Sequence, residues 1–399
     1  MVLFMKILVV QDANWLKKGP HQQHHLMELL SEWGHEVKVI GYNQLWKEDQ
    51  WSIMSKRIEY HNVHRIYAGA HATYISPFFI KFPLLDYLSF LFTSKNEIKN
   101  CIDEFNPDVV VGFTSVLSNY WGMYYAKKRK IPFIYYWTDI IHKLIPFEPF
   151  HPIAKSIEKE VLKNSTRIVA MNSGLRDYLV NFGVKHERIN IIPGGVDFNR
   201  FNPSTEDPHY IREKFNISKD DLVLFFMGWI YDFSGLKEVI QELAKVTDSH
   251  PNIKILIVGE GEYYPQLKEF VESTGMKNEV ILTGKVSYEE IPKLIAAADI
   301  CLLPAYNNEI MRDIVPIKMY EYLAMHKPVI STKLSGVFKE FGSDGGVIYV
   351  DRSEDVIKKV LELNKSDLER NSLLAEQFIK NCSWGKITLE FERLLKSLS

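Results

Sequence analysis

Short apolar runs rich in β-branched residues alternate along this chain with longer stretches whose apolar positions recur at helical spacing. Runs of the first kind occur at Lys6–Val10, Glu36–Ile40, Val109–Val111, Ile131–Tyr136, Arg167–Ala170 and Ile189–Ile192. They predict buried strands, and the amphipathic stretches between them predict helices covering a parallel sheet. A second set repeats the pattern at Leu222–Phe226, Ile253–Val258, Glu279–Leu282, Ile300–Leu303, Pro328–Ser331 and Gly346–Tyr349. Two comparable α/β series in 399 residues predict two domains, because a single core rarely grows that large. The turn-rich segment Ile192-Pro-Gly-Gly-Val-Asp-Phe-Asn-Arg-Phe-Asn-Pro203 suits the connection, giving a first domain at 1–200 and a second at 201–382.

Two further apolar segments are Met1–Val10 and Tyr74–Phe92. Met1–Val10 lacks the basic start and small-residue cleavage site of a signal peptide and is read as leading into the first strand. Tyr74–Phe92 is interrupted by Pro77, Lys81, Pro83 and Asp86, short of the roughly 18 consecutive apolar residues of a membrane span. It is read as a buried helix with an aromatic loop; the alternative is an interfacial segment that meets a lipid surface.

The densest chemical signal is Asp313-Ile-Val-Pro-Ile-Lys-Met-Tyr-Glu321, followed by Tyr-Leu-Ala-Met-His-Lys-Pro-Val-Ile-Ser331. Pro316 suits the first position of a helix, where its missing N–H costs nothing. The free amides of Ile317, Lys318 and Met319, with the positive end of the helix dipole, then form an anion site. Glu321 lies about one turn further on, and helical side chains lean toward the N-terminus, so its carboxylate faces the same ligand. A phosphate beside a hydroxyl-binding carboxylate is the pairing that a nucleotide and its ribose require. Eight positions on one helix would span about 12 Å, so Asp313 is expected on the preceding loop, facing the ligand's far end.

This stretch resembles the acidic-x7-Glu signature of retaining glycosyltransferases of family 4, and the resemblance extends over nearly the whole chain. Trp33-Gly-His-Glu-Val-Lys-Val-Ile40, Asn106-Pro-Asp-Val-Val-Val111, Pro193-Gly-Gly-Val-Asp197, Val258-Gly-Glu-Gly261, Leu282-Thr-Gly-Lys-Val286 and Ala298-Asp-Ile-Cys-Leu-Leu-Pro304 fall in the family's order. The resemblance implies an α/β fold of the GT-B type, two Rossmann-like doubly wound domains facing a central cleft, with the final helix 383–399 crossing back to the first. It also implies that Glu321 binds the donor ribose and that Ile314, Val315, Pro316, Ile317 and Lys318 border the distal phosphate. Asp313, where the family has Glu, would contact the donor sugar, and Gly284, Lys285 and Val286 would meet the base through backbone groups.

Departures from the family pattern concern the diphosphate. Where members carry Gly-Gly on the loop after the first strand, this chain has Gly19-Pro20. Where members carry Gly-Arg and then Lys-Gly after the first strand of the second domain, it has Gly228-Trp-Ile-Tyr-Asp-Phe-Ser-Gly235. Trp229 and Ser234 thus stand in the two basic positions, with Gly228 and Gly235 retained. Charged hydrogen bonds contribute about 1.5–3 kcal/mol each, so losing two costs a factor of roughly 10² to 10⁴ unless other cations compensate. Lys318 and Arg312 are the nearest by sequence, with Lys17 and Lys18 on the opposing loop. In the first domain the usual His-Asp pair reads Thr138-Asp139, which makes Asp139 and then His142 the acceptor-side catalytic candidates. His24 matches a frequent family histidine.

Composition narrows the function. A net charge of −2 argues against a nucleic-acid partner, and the run Lys127-Lys-Arg-Lys130 is read as a helix end, with an anionic membrane surface as the alternative. The three cysteines, 101, 301 and 382, are far apart, which fits a reducing, cytoplasmic setting and no metal site. No Asp-x-Asp pair occurs to hold a metal on a sugar diphosphate. The expected protein is a metal-independent retaining hexosyltransferase without a cofactor. Its donor would be a UDP- or GDP-sugar and its acceptor a glycan or a lipid-linked glycan, with peripheral contact at the inner membrane face left open. The alternatives are a nucleotide-sugar epimerase on the same fold and a catalytically weakened sugar-nucleotide-binding subunit.

Overall fold

The computed structural model describes residues 4–17, 20–42, 53–83, 85–113, 115–143, 145 and 148–398. The chain divides into two compact units, Met1–Pro193 with Trp384–Ser399, and Gly194–Ser383. Pairing of Val196 with Ser383, and the Val196 amide donating to the Cys382 carbonyl at 2.8 Å, close the second unit.

The first unit holds strands β1 (Lys6–Val10), β2 (Glu36–Ile40), β3 (Ile58–Val63), β4 (Ala72–Ser76), β5 (Val109–Phe113), β6 (Phe133–Trp137), β7 (Arg167–Ala170) and β8 (Ile189–Ile191). Their order is β3-β4-β2-β1-β5-β6-β7-β8, parallel except for β3 against β4. Central strands such as β5 and β6 are buried at every position, which is why they read as continuous apolar runs rather than alternations. Edge strand β3, Ile-Glu-Tyr-His-Asn-Val, is largely exposed and gave no apolar signal.

The expected buried helix in Tyr74–Phe92 is corrected. Tyr74–Ser76 belongs to β4, and the helix runs from Leu85 to Phe105. Each proline holds the residue before it out of helical backbone, and the helix begins just past the second proline. It buries Phe90, Ser94, Ile98, Cys101, Ile102 and Phe105, one stripe at helical spacing, and leaves Leu85, Leu88 and Phe92 exposed.

The final helix, Trp384–Lys396, lies in this first unit. Trp384 stacks on His25 with ring centroids 4.5 Å apart, and Glu392 pairs with His35 at 2.8 Å. Among the described residues no helix is long and apolar enough to cross a membrane.

The second unit holds β9 (Leu222–Met227), β10 (Ile253–Val258), β11 (Val280–Leu282), β12 (Ile300–Leu303), β13 (Val329–Thr332) and β14 (Val347–Val350). All pairs are parallel, in the order β11-β10-β9-β12-β13-β14. This is the doubly wound order, with apolar clusters on both faces of the sheet and a switch of direction between β9 and β12. Ligands of such sheets bind outside the carboxyl ends of the strands at that switch, where β9 runs into Gly228 and β12 into Pro304.

Candidate functional site

The helix carrying Glu321 runs from Lys318 to Ala324, with Ile317 as N-cap. Pro316 is therefore two residues before the first helical residue rather than that residue itself. Its carbonyl accepts from the Met319 amide at 3.0 Å, which removes Met319 from the expected set of free amides. No described residue accepts from the Ile317 or Lys318 amides. The helix is tied to the sheet by Tyr322, whose hydroxyl accepts from the Met227 amide at 2.9 Å, and by Tyr320, which donates to Glu340 at 2.7 Å.

Lys318 and Glu321, three residues apart, share one helical face. The Lys318 ammonium donates to the Met227 carbonyl at 2.7 Å and lies over the Phe226 ring, 4.1 Å from its centroid. It occupies the end of β9 so closely that a Cβ on Gly228 would stand 2.9 Å from it. Gly228 has φ +133°, a backbone state that side chains rarely adopt. The residue is half-buried, yet its ammonium sits against the aromatic face, and burial draws its pKa down to about 7, with the Glu321 charge opposing.

Glu321 is 5% exposed. Burial pushes its pKa up to about 7, against the hydrogen bond from Tyr288 and the charges of Lys318 and Arg200. The Tyr288 hydroxyl donates to Glu321 Oε1 at 2.6 Å, and Oε2 has no partner among the described residues. Arg200 lies on the Tyr288 ring, its guanidinium carbon 4.8 Å from the centroid. Sequence reasoning missed both Tyr288 and Arg200. The only signal for Tyr288 was its position shortly after the Gly284 turn, and Arg200 lay in the segment read as connection.

Asp313 is on the loop before the helix and nearly buried; its Oδ2 accepts from Arg312 Nε at 3.1 Å. Arg312 is therefore committed in part to its neighbour. The stretch Ile314–Pro316 carries no regular structure, and Val315 is buried in the core beneath it. Gly284 turns the chain after β11 at φ +69° and its carbonyl accepts from Gly259 at 2.9 Å. Lys285 is exposed and stands 3.7 Å from Glu260, while Val286 packs on the core.

Trp229 and Ser234 behave differently from the cations they replace. Trp229 is 47% exposed and its indole N–H donates to Glu262. Ser234 is buried, and its hydroxyl accepts from the Tyr231 amide at 3.0 Å, closing a turn whose Tyr231 and Phe233 rings stack 4.7 Å apart. Gly235 follows at φ +72°, where a Cβ would stand 1.9 Å from the Pro304 carbonyl oxygen. Gly235→Ala is expected to destabilise the second unit by about 2–4 kcal/mol, read as an earlier first transition in thermal unfolding.

In the first unit, Asp139 is half-buried and accepts from its neighbour Thr138 at 2.9 Å. His142 is 2% exposed, its Nδ1 2.5 Å from Glu158, which also accepts from Trp137 at 2.8 Å and from Tyr135 at 3.3 Å. The ring of His142, the second acceptor-side catalytic candidate, is thus enclosed in a buried polar cluster. His24 is likewise enclosed, its Nε2 3.0 Å from the Trp15 carbonyl, and burial lowers its pKa to about 3. Gly19 and Lys18 lie outside the described residues. Among the described residues no group of three or more His, Cys, Asp or Glu side chains is disposed to hold a metal ion.

Comparison with known proteins gives the chain a family and a fold. Residues 209–381 match the family profile of the group 1 glycosyl transferases, and residues 22–200 that of glycosyltransferase family 4. An uncharacterized glycosyltransferase of Methanocaldococcus jannaschii is 26% identical over 61% of this chain and 62% of its own length. The alpha-monoglucosyldiacylglycerol synthase of Acholeplasma laidlawii is 23% identical over 65% and 67%. The chain thus spans about two thirds of these relatives. Among solved structures, Anabaena HepE in complex with UDP superposes with a TM-score of 0.73 at 15% identity, covering 98% of this chain and 100% of that one. Sucrose-phosphate synthase of Thermosynechococcus elongatus gives 0.78 at 14%, covering 99% of both. At such identities these two likenesses establish the fold, GT-B.

Proposed function

The chain belongs to the group 1, family 4-like glycosyltransferases, and from that premise we propose that it moves a hexose from a UDP- or GDP-sugar to a glycan or lipid-linked acceptor. Transfer is with retention at the anomeric carbon and without a metal. The observation that carries this reading is the pairing of Lys318 and Glu321 on one helical face beside Gly228, at the carboxyl end of β9.

Breaking the bond from sugar to diphosphate builds negative charge on the leaving phosphate, and fixed donors aimed at it lower the barrier most. Lys318 is the cation closest to the end of β9 in this reading, with the Ile317 and Lys318 amides facing the distal phosphate. Glu321 accepts from the ribose hydroxyls through Oε2, Asp313 faces the sugar, and the backbone of Gly284, Lys285 and Val286 meets the base. Trp229 offers an apolar face beside the ligand. Asp139 keeps the acceptor-side role.

The lipid-linked half of the proposal draws on the first unit. Ile53, Phe82, Leu88 and Phe92 are exposed there, and a relative is named for a diacylglycerol product. Such a surface suits peripheral contact with the cytoplasmic membrane face. A second reading, a sugar-nucleotide-binding subunit without turnover, draws on Ser234 being spent on its own turn.

The test is a ligand-induced melting screen with UDP- and GDP-sugars, followed by product analysis with glycan and lipid-linked acceptors in a chelator. A transferred sugar that keeps the donor's anomeric configuration is expected. An inverted product, or sugar conversion without an acceptor, would overturn the reading; binding without turnover selects the subunit.

A further inference from the structure

We propose that Tyr288, braced by Arg200, is the residue that positions the Glu321 carboxylate for the donor, holding one oxygen and leaving the other to bind ligand. This rests on the reading of Glu321 as the ribose-binding group.

A lone carboxylate at this place would face two problems. Glu321 lies on the helix that carries core residues Met319 and Tyr320, and apolar neighbours offer its carboxylate oxygens no hydrogen bond to orient them. Burial also favours its neutral form, which would donate where the ligand needs an acceptor. Tyr288 answers both problems. It enters from a different element, the turn Tyr288–Glu290 after β11, and its hydroxyl reaches Oε1 at 2.6 Å. A donated hydrogen bond fixes the carboxylate plane and stabilises the ionised form. Oε2 is left without a partner among the described residues, and one oxygen with two lone pairs can accept from a vicinal diol.

Tyr288 is in turn fixed by its surroundings. Phe201 meets its ring edge-on with centroids 5.8 Å apart, and the Arg200 guanidinium covers its face at 4.8 Å. Arg200 makes little other use of its charge: its Nε is buried with no hydrogen-bond partner, and among the described residues its one ion pair, to Glu289, is long at 3.6 Å. A buried N–H left unsatisfied, even on a partly exposed guanidinium, is costly. Its position between Tyr288 and Glu289, with attraction toward Glu321, supplies a reason for it: a cation behind the tyrosine keeps the carboxylate ionised. The charged and titratable groups around Glu321 are then Tyr288, Lys318, Arg200 and Tyr322, with Glu289 against Arg200 and Asp197 near Tyr288. Tyr288 itself stays protonated, since burial and the Glu321 charge hold its pKa well above the ordinary value.

The phenylalanine variant keeps the ring, its contact with Phe201 and the cation on its face, and deletes only the hydroxyl. Tyr288→Phe is expected to raise donor KM on the order of tenfold at neutral pH, the worth of one charge-assisted hydrogen bond, with kcat changed much less. The acid limb of kcat/KM should move to higher pH, because Glu321 loses a bond that lowered its pKa, and the defect should shrink above that limb. Arg200→Met, with Tyr288 intact, should move the limb the same way. Unchanged KM and an unmoved limb in Tyr288→Phe, in protein melting like wild type, would overturn the proposal. Glu321→Gln is measured alongside: if it leaves donor binding intact, the ribose reading itself fails, whereas loss in Glu321→Gln with none in Tyr288→Phe refutes only the positioning role.

Discussion

Glu321→Ala is expected to lower kcat/KM for the sugar-nucleotide donor by a factor of about 10² to 10⁴. Two ribose hydroxyls bonded to an ionised carboxylate contribute about 1.5–3 kcal/mol each, and each 1.4 kcal/mol is tenfold. The loss should appear in donor KM and in the ligand-induced rise of the melting temperature. Folding should survive it. Glu321 is a buried acid whose folded pKa, about 7, lies above its ordinary 4.5. Such a group contributes most to stability when protonated, below about 4.5, and that contribution is lost as pH rises through 7. Removing it relieves the protein at neutral and alkaline pH. Calorimetric titration with UDP- and GDP-sugars measures the effect, and wild-type affinity in the variant would remove Glu321 from the donor site.

Lys318→Met comes second, with an expected loss of about 10²-fold in kcat/KM. Where relatives' pattern supplies an arginine and a lysine after β9, this chain supplies Trp229, tied to Glu262, and Ser234, tied to Tyr231. Lys318 reaches the end of the same strand from another element, so in the proposed donor site the diphosphate charge falls on it. Its pKa near 7 gives the test a direction. An ammonium is present below that value and lost above it, so wild-type donor affinity should fall as pH rises through about 7. Glu321 acts in the opposite sense, ionising as pH rises, and the two together should give a maximum near neutrality. The methionine variant should lose the alkaline fall and keep the acid one. It should also melt no lower than wild type, because a lysine with a depressed pKa costs folding stability at every pH below its ordinary 10.5. Retained activity with an unchanged alkaline limb would sink the assignment.

Much of this site was legible along the chain because its parts are local. The spacing from Asp313 to Glu321 placed a loop, a helix start and a carboxylate in order, and the helix did form there. The start was misjudged by two residues. Pro316 fits the first helical position, but its carbonyl closes a tighter turn with Met319 before the helix begins. The setting of His142 was not legible for another reason: a histidine after a strand reads the same whether it faces a ligand or a neighbour. Its partner, Glu158, is sixteen residues away on a different helix.

The sequence by itself determined the two α/β halves, most of their strands and the turn and helix start that lead to Glu321. Those follow from periodicities and caps that neighbouring residues impose on one another. Only the tertiary structure decided which side chains meet. Lys318 crosses from its helix to Met227, Tyr288 comes from the turn after β11, and Arg200 comes from the connection, all to within a few ångströms of one carboxylate's surroundings. No local rule links positions 200, 227, 288, 318 and 321. Sheet order and packing bring them together, and burial then sets the charges that their residue types alone leave open.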